Sequence, residues 1–298
     1  MKLSDLRTFA FLGAFVLPIL ACAGVMNALE EATDPNSAEG KLIRGANRLR
    51  KSFQDLDPSE EHYIGRSVAA EILSMPSYEL ADDAALDAYL NRIGLAIAAT
   101  NDDVLRPFLD YRFAALDTDE VNAFACPGGT ILVSRGLLAR ATSEDEVAAI
   151  LAHEIAHVTL RHGLAAIQKG NLAEAFTYLG QGAAQAAGKD EDLAKLSGLF
   201  DQSIDDIVKT LITSGYSREA EAEADALGRK FLIGTGYDPE ALRRVLSRMG
   251  DAGGEGGMFA THPAPSARIA SLGAPVGHQT DPAGAARRAT RYAAAFAR

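Results

Sequence analysis

The chain has 298 residues, enough for one large domain or two small ones. Its hydrophobic content of 48% and charged content of 23% are typical of a globular protein. The formal net charge of -11 argues against a nucleic-acid-binding protein, because phosphate contacts require clustered lysine and arginine. The two cysteines, Cys22 and Cys126, are too few for a cysteine-based structural zinc site.

The first residues predict an export signal. Lys2 and Arg7 precede an apolar run at residues 9–20, and small residues follow it. A basic start, an apolar middle and small residues at the end are typical of a signal peptide. We therefore expect the bulk of the chain to lie outside the cytoplasm, in the periplasm of a bacterium.

The end of this signal allows three interpretations. Residues 19–22, ILAC, resemble a lipobox, in which Cys22 would be lipidated and would tether the chain to a membrane. Residues 21–23, ACA, also fit ordinary cleavage, which would leave a soluble periplasmic protein. The apolar stretch continues to Met26, barely long enough for an uncleaved anchor helix. We expect the lipoprotein type and keep the other two as alternatives.

The rest of the chain is predicted to follow an α+β order. Residues 23–55 are polar and form a linker or an N-terminal helix, and apolar residues recur at spacings of three and four from 56 to 105. YRFAAL (111–116) and TILV (130–133) are typical of strands, and the Pro-Gly-Gly between them predicts a turn. Helical patterns follow. No apolar run after residue 28 reaches the length of a membrane span.

A clear helix start precedes the histidine-rich part of the sequence. Ser143 and Glu146 form a capping-box pattern ahead of an apolar run, and Gly163 predicts the stop. An apolar stripe on this helix should face the core. Its members are Val147, Leu151, Ile155 and Val158.

The motif on this helix is His153-Glu154-x-x-His157. Residues four apart lie on one face of a helix, about 5–6 Å apart at Cβ. Two imidazoles there can bind one zinc ion at about 2.0–2.1 Å each. Glu154 can then accept a proton from a water at the metal. The sequence therefore predicts a metal site rather than a chance match.

A third protein ligand is required, and His162 has the wrong spacing for it. The extended motif HExxHxxGxxH would place the third histidine at position 163, which is a glycine. Five residues after His157, His162 is rotated off the metal-binding face, so we interpret it as a structural or supporting histidine.

A later acidic helix offers a better third ligand. Ser217 is a typical N-cap, and Glu221 and Asp225 are four apart on one face. One carboxylate could bind zinc, and the aspartate could accept a hydrogen bond from a zinc-binding imidazole. Spacing alone does not choose among Glu219, Glu221 and Glu223.

The sequence resembles the HtpX and CAAX prenyl protease family of zinc metallopeptidases, in particular its soluble, exported bacterial members. Four segments carry the resemblance in the same order. They are NAFACPGGTILVSRGLL (122–138), HEIAHVTLRH (153–162), SREAEAEAD (217–225) and THPAPSARI (261–269). The resemblance implies an α+β, mainly helical zincin-like domain with a small β-sheet at the active-site edge. We expect this domain at residues 56–275, after a signal peptide at 1–22 and before a C-terminal tail at 276–298.

The family pattern of HExxH followed by ExxxD implies a site of one zinc ion per chain. The implied ligands are His153, His157 and Glu221, with Glu154 as the general base. Asp225 would support a ligand. Membrane-embedded members of the family carry several transmembrane helices, which this chain lacks after residue 28. Its Ala- and Gly-rich segment at 164–215 is expected to form helices over the cleft.

The resemblance also implies roles for residues outside the two helices. His262 would stabilise the oxyanion or gate the metal, and Arg268 would support it. The strand edge near Asn122, Gly128 and Gly129 could pair with a substrate peptide by main-chain hydrogen bonds.

The function implied is a zinc metalloendopeptidase of the bacterial cell envelope, acting on misfolded or unassembled proteins. Its partners would be polypeptide substrates and, through the N-terminal anchor, a membrane. One alternative is a chaperone-like binder of envelope proteins with a latent zinc site. Another is an inactive envelope lipoprotein that kept the fold, although the complete set of His153, Glu154, His157 and Glu221 argues against it.

Overall fold

The computed structural model describes residues 56, 58–165, 201, 204–251, 262, 265–278 and 281–296. The predicted signal peptide, the possible lipidation of Cys22 and the predicted linker lie outside these residues. So do residues 166–200 of the segment that was expected to cover the cleft.

The described residues form helices around a three-stranded sheet. This confirms the predicted α+β class with mainly helical content. The strands are β1 (Arg112–Leu116), β2 (Ala123–Cys126) and β3 (Thr130–Ser134). The helices are α1 (Pro58–Ser74), α2 (Ala84–Thr100), α3 (Arg135–Leu138), α4 (Glu144–Thr159), α5 (His162–Ala165), α6 (Arg218–Thr235), α7 (Ala241–Asp251), α8 (Pro265–Ser271) and α9 (Pro282–Phe296).

The sheet has the order β1-β3-β2, with β1 parallel and β2 antiparallel to β3. Strand β2 was not predicted from the sequence, because all four of its residues are buried and the usual polar–apolar alternation is missing. In the described part of the chain, β3 is the central strand and β2 pairs only with β3. The edge strands of the described sheet are therefore β1 and β2, and all four residues of β2 are buried.

The predicted turn between β2 and β3 brings α1 close to the sheet. Gly128 and Gly129 have φ values of 69° and 94°, which favour glycine. A Cβ on Gly128 would lie 2.6 Å from Cα of His62, and one on Gly65 would lie 1.6 Å from the carbonyl oxygen of Pro127. These glycines let α1 pack directly on the turn.

Helix α4 begins where the sequence predicts, but only half of the capping box forms. Ser143 is the N-cap, and its hydroxyl accepts a hydrogen bond from the Glu146 amide at 3.4 Å. The Glu146 carboxylate accepts from the Thr142 amide at 2.6 Å instead of turning back to Ser143. It also pairs with Arg244 and Arg248, whose charges hold it away from the cap.

The end of α4 comes earlier than predicted. The helix stops at Thr159, and Arg161, not Gly163, adopts the left-handed conformation, with φ 57°. The prediction of one core-facing stripe was too narrow, because every residue from 144 to 158 except Asp145 is buried. Helices α2, α6, α7 and α9 all pack against α4.

Three acidic residues in the first turn of α4 bind arginines from α7 and α9. A carboxylate at a helix N-terminus is also favoured by the helix dipole. The pairs are Glu144 with Arg291, Asp145 with Arg288, and Glu146 with Arg244 and Arg248. They tie the helix that carries the HExxH motif to two elements late in the chain.

The predicted C-terminal tail contains helix α9, which packs against α2 and α4. At its end, the ring of Phe296 contacts Tyr89 with centroids 6.0 Å apart. Among the helices that the structure describes, none is long and apolar enough to cross a membrane.

Candidate active site

Two histidines on α4 point into the same buried site. His153 and His157 lie one turn apart, and both are 1% exposed. Their Nε2 atoms are 3.0 Å apart. Two ring nitrogens that meet in this way, away from water, form a pair of donors for one metal ion.

Helix α6 brings the carboxylates to this pair. It begins at the N-cap Ser217, whose hydroxyl accepts from the Ala220 amide at 3.2 Å. Gly228 lies so close to α4 that an added Cβ would be 3.2 Å from the backbone of Ala152. This close packing brings Glu221 and Asp225, both buried, against the two histidines.

The described residues contain one group that could hold a metal ion: His153, His157, Glu221 and His262. Each offers a ligand atom, and these atoms lie within 4.8 Å of one another. Nε2 of His157 is 3.3 Å from Oε1 of Glu221, and Nε2 of His153 is 3.6 Å from Oε2. Tetrahedral ligands at about 2.0–2.1 Å from zinc would be about 3.3 Å apart.

The donor set fits the zinc ion that the sequence predicts. Two imidazoles and one glutamate are the ligands of known catalytic zinc sites. Oε2 of Glu221 is buried and accepts no hydrogen bond in the described structure, although Nε of Arg268 lies 3.4 Å away, so this oxygen keeps an electron pair for a metal ion. Burial lowers the pKa of His157 well below its usual value, so this histidine is neutral, as a metal ligand must be.

Asp225 and Arg268 support the first histidine. Oδ1 of Asp225 lies 2.9 Å from Nδ1 of His153, which leaves Nε2 to face the other donors. Arg268 donates to both oxygens of Asp225, at 3.0 Å and 2.6 Å. Burial acts to raise the pKa of Asp225, but the Arg268 guanidinium outweighs it and brings the pKa to about 2. Asp225 therefore remains a hydrogen-bond acceptor at any working pH.

Glu154 lies beside the donors without being one of them. It is 1% exposed, and its Oε1 atom has no hydrogen-bond partner in the described structure. Burial raises the pKa of Glu154, and the charges of His153 and His262 oppose that rise. A carboxylate with a raised pKa is better suited to accept and return a proton near neutral pH.

His262 lies within the donor group rather than apart from it. Its Nδ1 atom is 2.6 Å from Oε1 of Glu221. Burial acts to lower the pKa of His262, but the Glu221 carboxylate outweighs it, and the net effect is a raised pKa. The same contact, with the charge of His262, overcomes the effect of burial on Glu221 and holds the pKa of this carboxyl far below its usual range.

Two aromatic side chains line the other side of His157. His162 is not in the donor group, and its Nδ1 lies 2.9 Å from Nδ1 of His157. The ring of Tyr216 stacks on His157, with centroids 4.1 Å apart and planes at 19°. Tyr216 was not predicted from the sequence as a site residue. Its position directly before the N-cap Ser217, and five residues from Glu221, was the available signal.

The residues proposed for the substrate strand lie at the sheet but are themselves buried. The Oδ1 atom of Asn122 accepts from the Ala123 amide at 2.9 Å, and the Asn122 amide donates to the hydroxyl of Ser134 at 3.0 Å. Gly128 and Gly129 face α1 and Pro107. Their substrate role stays a prediction, with β2 as the strand that would carry it.

Comparison with known proteins supports this reading of the geometry. Residues 84–276, more than half of the chain, match the model of the family described as Peptidase family M48. The match includes all the helices that supply the donors and Arg268, and it leaves out α1 and α9.

Three curated relatives illustrate the similarity. The chain is 30% identical to the beta-barrel assembly-enhancing protease of Yersinia pestis, over 63% of this chain and 38% of the relative. It is 26% identical to the mitochondrial metalloendopeptidase OMA1 of Schizosaccharomyces pombe, over 75% and 63%. It is 31% identical to the metalloprotease LoiP of Escherichia coli K12, over 50% and 56%.

The chain thus spans well under half the length of the beta-barrel assembly-enhancing proteases that it matches. The resemblance stated from the sequence is confirmed: the chain belongs to peptidase family M48.

Proposed function

We propose that the chain is a zinc-dependent endopeptidase of the bacterial cell envelope that hydrolyses misfolded or unassembled proteins. The observation that carries the proposal is the arrangement around α4. His153, His157 and Glu221 converge with unshared electron pairs, and the unpartnered oxygen of Glu154 lies beside them. The family membership and the names of the relatives, which include a protease that enhances beta-barrel assembly, support the same reading.

In this proposal, His153, His157 and Glu221 hold the metal, and Glu154 moves the proton. Bound zinc supplies a Lewis acid, which lowers the pKa of water toward about 7 and polarises a carbonyl group. Oε1 of Glu154 accepts a proton from the water that attacks the peptide carbonyl. The same oxygen then returns the proton to the nitrogen of the leaving amine. Asp225 keeps His153 in one tautomer throughout.

A substrate chain would bind along β2. In the described structure this strand pairs with β3 along one edge, and it contacts both α4 and α1. An extended peptide added to the other edge would be held by main-chain hydrogen bonds, which require an extended backbone and do not depend on the side chains of the peptide. Such binding suits a peptidase whose substrates share an unfolded state.

Removal of the metal tests the proposed activity. We expect the purified full-length chain to cleave denatured β-casein, to lose cleavage after treatment with 1,10-phenanthroline, and to regain it when zinc is added back. Magnesium should not restore cleavage, because it prefers oxygen donors to imidazole. Cleavage by wild-type protein that is indifferent to chelation would contradict a zinc mechanism.

We also propose that the chain is exported and tethered to a membrane through lipidated Cys22. Labelled palmitate should be incorporated into the chain and lost in Cys22→Ser, while Cys126→Ser, which alters a buried cysteine of β2, should keep the label. A wild-type chain without label would contradict lipidation. N-terminal sequencing would then separate ordinary cleavage at residues 21–23 from an uncleaved anchor.

A second candidate function is a chaperone-like binder with a latent zinc site. The burial of all four donors, and the contact of His262 with Glu221, favour it, because a fourth protein donor would leave no open position for a substrate. Binding of denatured β-casein without cleavage, in a chain that contains zinc, would support this function over the first.

A further inference from the structure

Tyr216 occupies a constrained place next to the site. A π-helical turn, Thr210–Ser214, precedes it, and Gly215 follows that turn with φ 67°, a value that favours glycine. Ser217, directly after Tyr216, starts the helix that carries Glu221. The backbone on both sides is therefore held, and the tyrosine ring is stacked on His157. π-Helical turns are often found at functional sites.

The hydroxyl of Tyr216 makes no hydrogen bond within the described structure. It is buried and lacks a hydrogen-bond partner. A buried tyrosine hydroxyl normally has one, because a polar group removed from water without a hydrogen-bond partner is destabilising. Glu154, whose charge acts on Tyr216, also has a buried oxygen, Oε1, without a hydrogen-bond partner in the described structure. The ionised carboxylate of Glu154 can only accept a hydrogen bond, and the hydroxyl of Tyr216 can donate one. The two groups do not bond to each other.

Hydrolysis of a peptide bond needs an acceptor for the proton of the attacking water and a donor to the carbonyl oxygen. Glu154 and Tyr216 could supply these two groups. Oε1 of Glu154 suits the proton of the attacking water, as the proposed function requires. A tyrosine hydroxyl, with an ordinary pKa of about 10, is protonated at neutral pH and can donate to an oxygen. His262, the donor implied by the family resemblance, already uses Nδ1 in its contact with Glu221.

We infer that Tyr216 is a catalytic residue whose hydroxyl donates a hydrogen bond to the carbonyl oxygen of the scissile peptide bond. The bond strengthens as negative charge develops on that oxygen, and no proton leaves the tyrosine. The inference rests on the proposed peptidase function and adds to it the group that stabilises the substrate oxygen.

A purely structural role predicts a different result for one substitution. Phenylalanine at position 216 keeps the ring that stacks on His157 and removes only the hydroxyl. If Tyr216 merely packs against the histidine, Tyr216→Phe should behave like the wild type. If the hydroxyl contacts the substrate, the same variant should lose rate at the chemical step.

The test uses a fluorogenic peptide that spans a β-casein site cleaved by the full-length wild-type chain. For Tyr216→Phe we expect kcat to fall about 100-fold or more, the usual effect of removing one oxyanion donor, with KM changed less than about two-fold. Zinc content should not change. Tyr63→Phe, which removes the hydroxyl of a tyrosine that is 61% exposed, is the matched control and should keep full activity.

A second measurement does not depend on turnover. A phosphinic analogue of the same peptide carries a tetrahedral, anionic centre in place of the scissile bond and imitates the transition state. Calorimetry should show that Tyr216→Phe binds it weaker by about the same factor as kcat falls. Unchanged affinity for the analogue, together with unchanged kcat, would overturn the inference and leave Tyr216 as a packing residue.

Two other results would also overturn the inference about Tyr216. The first would give this tyrosine a different role, and the second would refute the peptidase function. Loss of zinc in Tyr216→Phe, together with a phenolate-to-copper absorption band in the copper-loaded wild type, would make Tyr216 a metal ligand. A wild-type chain that cleaves no peptide and gives the same result as Glu154→Gln would refute the proposed function itself, and the role of Tyr216 with it.

Discussion

Replacing Glu154 with glutamine should reduce proteolysis at least about 1000-fold while the chain keeps its zinc. The two side chains have the same shape, but an amide cannot accept a proton from water at neutral pH. Glu154 is outside the donor group, so the metal should remain. Turnover of the β-casein peptide and elemental analysis of the same protein sample would measure both effects.

The burial of Glu154 makes this substitution informative. Its carboxylate is 1% exposed, so water does not provide an alternative base at this position. Glu219→Gln, on the same helix as Glu221 but fully exposed, is the matched control and should leave the rate unchanged. Zinc-dependent cleavage that persists in Glu154→Gln would mean that another group takes the proton.

The same variant separates the two candidate functions in cells. A strain that lacks the gene should be rescued by the wild-type chain and not by Glu154→Gln if proteolysis is the function. Full rescue by Glu154→Gln would favour the chaperone-like binder, because binding to β2 does not need the carboxylate of Glu154.

Replacing Glu221 with alanine should remove the zinc as well as the activity. Loss of a residue that only supports a ligand typically weakens metal affinity about 10–100-fold, and loss of a ligand itself should weaken it more. A zinc titration against a chromophoric chelator would give the affinity. Glu219→Ala, which removes an exposed carboxylate two residues away, should bind zinc like the wild type.

Glu221 has a second role that strengthens this expectation. Its Oε1 atom contacts both His157, at 3.3 Å, and His262, at 2.6 Å. Without this carboxylate, His262 would be buried with its main partner gone, and the two remaining histidines would lose the negative charge that favours a cation. About one zinc per chain at wild-type affinity in Glu221→Ala would show that other donors complete the site.

The features that the sequence determined by itself are the local ones. The spacing of His153 and His157 places them on one helical face whatever surrounds the helix, because the helical repeat is a property of the backbone. The N-caps Ser143 and Ser217 also form as predicted, since each hydroxyl needs only an amide three residues away. The turn at residues 127–129 follows from its glycines in the same way.

Tertiary packing decided the rest. Three glutamates on α6 are equivalent in the sequence. The packing of α6 on α4, which is closest at Gly228 and Ala152, determines which face of α6 meets α4, and hence that Glu221 enters the site. Strand β2 escaped prediction because burial on both faces removes the alternation that marks a strand. Contacts between distant parts of the chain bring His262 and Tyr216 to the site and helix α9 to α4. Such contacts cannot be predicted from a local sequence pattern.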